Sequence, residues 1–202
     1  MPKDGTINRE HILQAATQLV IENGFAATSL DSVIASAGTS KGAFFHHFDS
    51  KLDLAQALTE RYVSADIAVL NDALASTISV EDPVDRLMAF LRYFEDGADV
   101  LMSEQSSCLY ISVLTERQLI SHGTAEAINR AIDAWRIEIA ELLRAAAASR
   151  DVDLGDLDAL ADHVFVTFEG AFLLCRSTGD STHMRSQLAV LRRLIESALR
   201  AR

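Results

Sequence analysis

Polar and cationic side chains crowd together between Thr39 and His47. The stretch holds the hydroxyl groups of Thr39 and Ser40, the ammonium group of Lys41, and the imidazole rings of His46 and His47. Hydroxyl and ammonium groups donate hydrogen bonds to phosphate oxygens and to acceptor atoms on base edges, and a histidine can gain positive charge beside a phosphate. The chemistry that these residues offer is therefore recognition of a polyanion.

Two short helices must position these side chains. An apolar face over residues 30–37 predicts the first helix, and Gly38 supplies the conformational freedom for a tight turn. Thr39 or Ser40 can cap the second helix, which should span residues 41–47. In a helix-turn-helix, the second helix enters the major groove of DNA with its N-terminus first. An ordinary helical hairpin with a solvated polar face has the same spacing, so the spacing alone leaves both interpretations open.

Sparse helix breakers predict an all-α fold. The chain of 202 residues has only two prolines and nine glycines, and its apolar residues recur with helical periods. We predict about nine helices. A three-helix helix-turn-helix head occupies residues 1–50, and a larger helical body occupies residues 51–202. Because a head of about 50 residues is marginally stable alone, it should lean on the body.

Capping residues predict where the helices begin and end. The first helix should begin at a cap on Asn8 and end at Gly24, and a capping box of Thr28 and Asp31 should open the second. The same reasoning places later helix starts or ends at Ser50, Asp82–Pro83, Gly97, Ser106 or Ser107, Thr124, Asp156 and Gly179.

The charge balance and the cysteines narrow the class of protein. Eighteen Lys and Arg residues against 29 Asp and Glu residues give a net charge of −11, so a polyanion must be met by a local patch. Cys108 and Cys175 are too few and too far apart for a disulfide framework or a zinc site. No apolar stretch approaches the roughly 18 residues that span a bilayer, and the first residues lack a signal core. We expect a cytoplasmic protein with no metal, no cofactor and no membrane partner.

A longer pattern extends on both sides of the polar stretch. Its members are Thr28, Ser29, Ile34, Ala35, Ala37, Gly38, Ser40, Lys41, Gly42, Phe44, Phe45, His47, Phe48 and Lys51. With these residues the chain resembles the TetR family of transcriptional regulators. The resemblance implies a homodimer that binds a short palindromic operator, usually as a repressor, and releases it when a small molecule enters the body.

The resemblance also implies which residues contact DNA. It gives contacts with the DNA backbone to Thr28 and Ser29, recognition contacts to Thr39, Ser40, Lys41 and His46, and phosphate contacts to His47 and Lys51. The chain departs from the family pattern at Thr39, where valine is usual, and at Phe45, where tyrosine is usual. The tyrosine hydroxyl commonly reaches a phosphate, so Phe45 removes that bond. Residues 1–60 carry four basic and seven acidic residues, which confines the attractive electrostatic field to the segment from Thr39 to Lys51.

The last two helices are expected to form the dimer interface. They carry wide apolar stripes and are joined by a short turn that contains Gly179, which favours a hairpin that pairs with its twin in a four-helix interface. The alternative is that these stripes only cover the core of the body.

Large side chains of the body are candidates for the effector site. The candidate ligand-binding residues are Phe90, Tyr93, Phe94, Cys108, Tyr110, Trp135, Phe168 and Phe172. Aromatic stripes of this kind are also what an ordinary core requires. The effector is an unidentified small molecule or an electrophile.

Cys108 is also a candidate redox sensor. If Ser106 or Ser107 caps the sixth helix, the Cys108 thiol lies in its first turn, where the helix dipole favours the thiolate. Residues 107–109, Ser-Cys-Leu, are similar to a Gly-Cys-Leu element in a TetR-like subgroup with electrophile-responsive members. A buried cysteine that acts as a small hydrophobe is the alternative.

Two other classes of protein compete with a regulator. An enzyme would use Cys108 as nucleophile and a histidine as base, but the six histidines form no HExxH motif and the chain has no glycine-rich phosphate loop. We therefore expect no catalytic residues. A helical dimer that binds a small molecule or a protein without DNA would lack the donors Lys41, His47 and Lys51.

Overall fold

The computed structural model describes residues 3–104 and 123–200. Within these ranges there are nine helices and no strand, which confirms the all-α prediction. The helices are α1 Lys3–Asn23, α2 Leu30–Ser36, α3 Lys41–His47, α4 Lys51–Ser76, α5 Pro83–Asp96, α6 Ala98–Glu104, α7 Ala125–Arg150, α8 Leu157–Thr178 and α9 Thr182–Arg200. None of these helices is both long enough and apolar enough to cross a membrane.

The chain divides into two compact units, of which the first contains the described residues 3–65 and 123–130. In this unit α1, α2 and α3 pack against one another. The buried side chains at its centre are Ile12, Leu13, Ala16, Val20, Phe25, Val33, Phe44, Phe48, Leu54 and Leu58. The four buried residues of α1 follow one face of that helix, and Val33 of α2 and Phe44 of α3 add to the same core.

Two predicted helix starts in this unit are wrong. α1 begins at Lys3, not after a cap on Asn8, because residues 3–7 contain no proline to stop the helix from extending. α2 is capped by Ser29, not by Thr28: the Ser29 Oγ accepts from the N–H of Ser32 at 3.0 Å. The end of α1 is as predicted, since Gly24 adopts a φ of 80° and the next residue, Phe25, is buried.

The second unit contains the described residues 66–104 and 131–200. In it, α9 packs against α5, α6 and α8. The predicted caps are confirmed at Asp82, which accepts from two backbone N–H groups at the start of α5, at Asp156 before α8, and at Gly179, which ends α8 with a φ of 73°. α6 begins directly after Gly97 and was not predicted. The helix start predicted at Ser106 or Ser107 lies outside the described residues.

An ion pair joins α5 to α9 inside the second unit. Arg192 Nε lies 2.6 Å from Glu95 Oε2, and the two side chains are only 15% and 16% exposed. The hydrogen bond from Arg192 holds the pKa of Glu95 below its ordinary value. A second bridge from α9, between Arg185 and Asp99 at 2.8 Å, is much more exposed, at 46% and 69%. The two bridges therefore differ in burial while sharing one helix.

Candidate nucleic-acid interface

The turn between α2 and α3 is built on Gly38. Its φ of 62° lies in the left-handed region, which glycine adopts without a steric penalty. Two residues later, the Ser40 Oγ accepts from the N–H of Ala43 at 3.1 Å and so caps α3. The sequence had left Thr39 and Ser40 as alternative caps, and the structure assigns the cap to Ser40. A capped short helix follows a glycine turn, as the pattern predicted.

Two phenylalanines fix α3 on the first unit. Phe44 and Phe48 are buried, with their ring centroids 5.5 Å apart. The Arg9 guanidinium of α1 lies 5.2 Å from the centroid of the Phe48 ring, a distance at which a cation is attracted to an aromatic face. Burial of this side of α3 determines which side of the helix faces solvent.

The exposed side of α3 carries the predicted donors. Ser40, Lys41 and His46 are exposed, and Thr39 and His47 are half-buried. No ion pair within residues 3–104 and 123–200 neutralises the Lys41 ammonium. The structure therefore brings these five residues together on one short polar surface, which we call the reading surface. Its donors can meet phosphate oxygens and base acceptors.

The other three residues predicted to contact DNA, which are Ser29, Lys51 and Thr28, differ from one another in their exposure to solvent. Ser29 is exposed at the start of α2. Lys51 is half-buried: its Nζ donates to the carbonyl of Ala26 at 3.2 Å and lies 4.5 Å from the centroid of the Phe25 ring. One face of the Lys51 ammonium is thus engaged inside the first unit.

Thr28 is buried, with 4% of its surface exposed. Its hydroxyl is shared between the carbonyls of Gly24, at 2.8 Å, and Leu19, at 3.2 Å. The hydroxyl therefore serves the junction between α1 and α2 and is absent from the exposed polar surface. Sequence reasoning missed this because threonine and serine look alike in a capping pattern, and only the packing separates Thr28 from Ser29.

The aromatic candidates of the second unit form one cluster. The ring of Phe94 lies 5.3 Å from Phe90, 5.2 Å from Trp135 and 5.2 Å from Phe168, measured between centroids. Trp135 and Phe168 are 5.8 Å apart. All four rings are buried, with exposed fractions from 0% to 9%. We call these four residues the aromatic cluster.

The other effector candidates lie at its edge or elsewhere. Phe172 is buried in the same core, whereas Tyr93 is 39% exposed and touches Phe94 edge-on. Cys108 and Tyr110 lie outside the described residues. A cavity of about 300 Å³ in the second unit is lined partly by Arg86 and Glu138, and none of the aromatic candidates lines it.

The aromatic cluster makes a polar contact that sequence reasoning missed. The indole Nε1 of Trp135 donates to Asp66 Oδ2 of α4 at 3.0 Å. No local pattern signals this bond, because its partners are 69 residues apart in the chain.

α8 and α9 each leave an apolar row uncovered in the chain. On α8 the row contains Val166, Leu173 and Leu174, and on α9 it contains Val190 and Leu194. Their exposed fractions run from 37% to 61%. Several exposed apolar side chains on two packed helices favour an interaction site.

The fold and the reading surface define a class, that of all-helical DNA-binding regulators with a helix-turn-helix. Residues 12–58 match the model of bacterial regulatory proteins of the tetR family. Residues 83–189, more than half of the chain, match the C-terminal domain of LmrA/YxaF-like transcriptional regulators. The chain belongs to the TetR family of DNA-binding transcriptional regulators, which are not enzymes.

Individual relatives agree with this assignment over most of their length. The transcriptional regulator AcuR of Cereibacter sphaeroides is 27% identical over 176 residues, which cover 84% of this chain and 77% of AcuR. The HTH-type transcriptional regulator LmrA of Bacillus subtilis is 29% identical over 180 residues, covering 87% of this chain and 89% of LmrA. The crystal structure of a TetR transcriptional regulator from Chloroflexus aurantiacus is similar with a TM-score of 0.76, at 26% identity and 96% coverage of both chains.

Proposed function

We propose that this regulator is a homodimeric repressor that reads a palindromic operator through residues 1–50 and senses a small molecule through residues 51–202. The observation that carries the proposal is the reading surface: a short helix, capped by Ser40 and anchored by buried phenylalanines, that turns Lys41 and His46 to solvent. Thr39 and His47 complete the surface, Ser29 and Lys51 are assigned further contacts with the DNA backbone, and the buried Thr28 hydroxyl holds the junction between α1 and α2. A symmetric dimer presents this surface twice, and two linked weak contacts bind far more tightly than one.

The test is selection from randomised duplex DNA with the purified protein, followed by affinity measurements on the enriched sequence. We expect an inverted repeat with half-sites about one helical turn apart. Loss of a side chain that contacts a base costs about 1–3 kcal/mol, so Lys41→Ala and His46→Ala should each weaken operator binding by roughly 5- to 150-fold.

Arg144→Ala is the matched control, because Arg144 is exposed on α7 and its loss removes one positive charge from the second unit. It should leave the operator affinity unchanged. An equal loss of affinity in the control and in Lys41→Ala would mean that the total charge, not the reading surface, determines binding. Failure to enrich any inverted repeat would overturn the proposal.

The dimer forms through the apolar rows of α8 and α9. Exposure of an apolar face to water is unfavourable. In a dimer with two-fold symmetry, both rows would be buried against the same rows of the second copy. Light scattering after size-exclusion chromatography should give a mass of twice the 22.0 kDa of the chain. Leu173→Glu and Leu194→Glu should each give a monomer and weaken operator binding.

Ile78→Glu is the control for this experiment. Ile78 is 73% exposed and lies outside α8 and α9, so a glutamate there should leave the dimer intact. A monomeric wild-type protein at micromolar concentration would contradict the dimer.

The effector acts in the second unit, at the aromatic cluster with Phe172 and Tyr93. Cys108 and Tyr110 remain effector candidates on the sequence alone. An electrophile that alkylates the Cys108 thiolate would repack this unit and release the operator. N-ethylmaleimide should therefore release the wild-type protein from DNA. Cys108→Ser should keep DNA binding and lose this response.

Cys175→Ser is the matched control. Cys175 is 3% exposed and its Sγ contacts the carbonyl of Ser181 at 3.6 Å, so its thiol is shielded from the reagent. The Cys175→Ser variant should respond to N-ethylmaleimide as the wild type does. Unchanged release in Cys108→Ser would end the cysteine proposal and leave the DNA-binding proposal untouched.

A further inference from the structure

α4 and α7 are each shared by the two compact units. Residues 51–65 of α4 and 125–130 of α7 belong to the first unit, and the rest of both helices belongs to the second. Asp66 is the first residue of α4 in the second unit. A change in α4 at Asp66 therefore acts on a helix that continues without a break to Lys51.

The two helices are joined by side chains in each unit. In the first, Arg130 Nη2 donates to both carboxylate oxygens of Glu60, at 2.8 and 3.0 Å. In the second, the Trp135 indole donates to Asp66 at 3.0 Å. The Arg130 bridge is exposed on both sides, where ion pairs contribute little. The Trp135 bond is partly buried, so solvent competes with it less than with the exposed Arg130 bridge.

The other side of Trp135 is packed into the aromatic cluster. Its ring lies 5.2 Å from Phe94 and 5.8 Å from Phe168, and only 7% of its surface is exposed. Because protein interiors are close-packed, rings that separate or rotate to admit a ligand must displace the indole. A hydrogen bond weakens steeply with misalignment, so displacement of the indole weakens its bond to Asp66.

We propose that the hydrogen bond from Trp135 to Asp66 is the link through which the aromatic cluster and operator DNA influence one another. Asp66 is a positioning residue that acts through Trp135 and contacts neither ligand. The inference rests on the proposed function, since it needs an operator at one end. Coupling between two binding sites is reciprocal, so DNA binding must change the environment of the indole even when the effector is unknown.

The chain offers a direct probe, because Trp135 is its single tryptophan. The wild-type protein is titrated with the selected operator duplex and, separately, with a scrambled duplex, while tryptophan emission is followed. Operator affinity is measured in parallel by the anisotropy of labelled DNA. We expect a saturable change in emission with the operator alone. In Asp66→Ala this change should be lost while the operator is still bound.

Asp72→Ala is the matched control, because Asp72 is an exposed aspartate on the same helix, and its emission change should match that of the wild type. Asp66→Asn keeps the side-chain shape and an acceptor oxygen, so it should restore part of the change, and it replaces Asp66→Ala if that variant does not fold.

Operator binding without any emission change in the wild type would overturn the link and leave the proposed function standing. An unaltered change in both Asp66 variants, or a loss in Asp72→Ala equal to that in Asp66→Ala, would overturn it as well. If no duplex is bound, the proposed function fails, and the link fails with it.

Discussion

Replacement of Arg192 tests how much its ion pair with Glu95, which joins α5 to α9, contributes to stability. Exposed ion pairs contribute about 0.2–1 kcal/mol, whereas loss of one partner from a fully buried pair costs about 3–5 kcal/mol. The Arg192 and Glu95 side chains are 15% and 16% exposed, which places the pair between these limits. Arg192→Met keeps most of the aliphatic stem and leaves the Glu95 carboxylate without its guanidinium. We expect a loss of about 2 kcal/mol in the free energy of unfolding.

The pH dependence follows from the lowered pKa of Glu95. Its hydrogen bond to Arg192, with burial opposing, keeps the pKa of Glu95 below its ordinary value in the folded protein. Such a carboxylate stabilises the fold fully above its unfolded pKa, about 4.3 for glutamate, and this stabilisation is lost as the pH falls through the folded pKa. The stability difference between wild type and Arg192→Met should therefore be largest near neutral pH and shrink in acid.

The assay is thermal and urea unfolding at one fixed protein concentration, because an oligomer is stabilised by mass action. For a chain of this length, 1 kcal/mol corresponds to about 2–4 °C in Tm, so Arg192→Met should lower Tm by about 4–8 °C. Arg185→Met is the control on the same helix. Its bridge to Asp99 is exposed, and its loss should cost at most about 1 kcal/mol. Equal losses in the two variants, or a difference that grows in acid, would refute the reasoning.

Three further predictions concern the first unit. Gly38→Ala should lower the unfolding free energy by about 1–2 kcal/mol, because alanine is strained at a φ of 62°. Gly42→Ala, inside α3 and with open space around it, should be neutral or stabilising by chemical denaturation. Thr28→Val should cost about 1–3 kcal/mol, because it leaves the part-buried carbonyl of Gly24 without its hydroxyl donor, whereas Ser29→Val, on the exposed side, should cost less. A plot of log operator affinity against log salt should have a slope no steeper than about −10, and a steeper slope would show more phosphate contacts than the reading surface provides.

Most of the features that were predicted correctly depend on residues that are close together in the chain. The cap at Ser40, the turn at Gly38 and the end of α1 at Gly24 depend on neighbours within one helical turn, so their spacing is enough to predict them. The reading surface follows from the same local rules, because burial of Phe44 and Phe48 determines the exposed side of α3. The family assignment likewise rested on a contiguous pattern.

Contacts between segments that are distant in the chain could not be predicted from the sequence. The bond from Trp135 to Asp66 and the bridge from Arg192 to Glu95 join residues 69 and 97 positions apart, and periodicity says nothing about partners on other helices. The role of Thr28 was hidden for a related reason: its hydroxyl bonds to Leu19, nine residues earlier. α6 was missed because a helix that starts directly after Gly97 needs no capping signature of its own.

The division of α3 into an anchored side and a solvent side has an evolutionary consequence. Phe44 and Phe48 hold the helix in place, while Lys41 and His46 touch little of the protein. Under the proposed function, exchange of these outward residues should change which base pairs are preferred and leave folding almost unaltered. Duplicated copies of such a gene can therefore drift to new promoters by a few substitutions, with Ser40 as the position where drift is resisted.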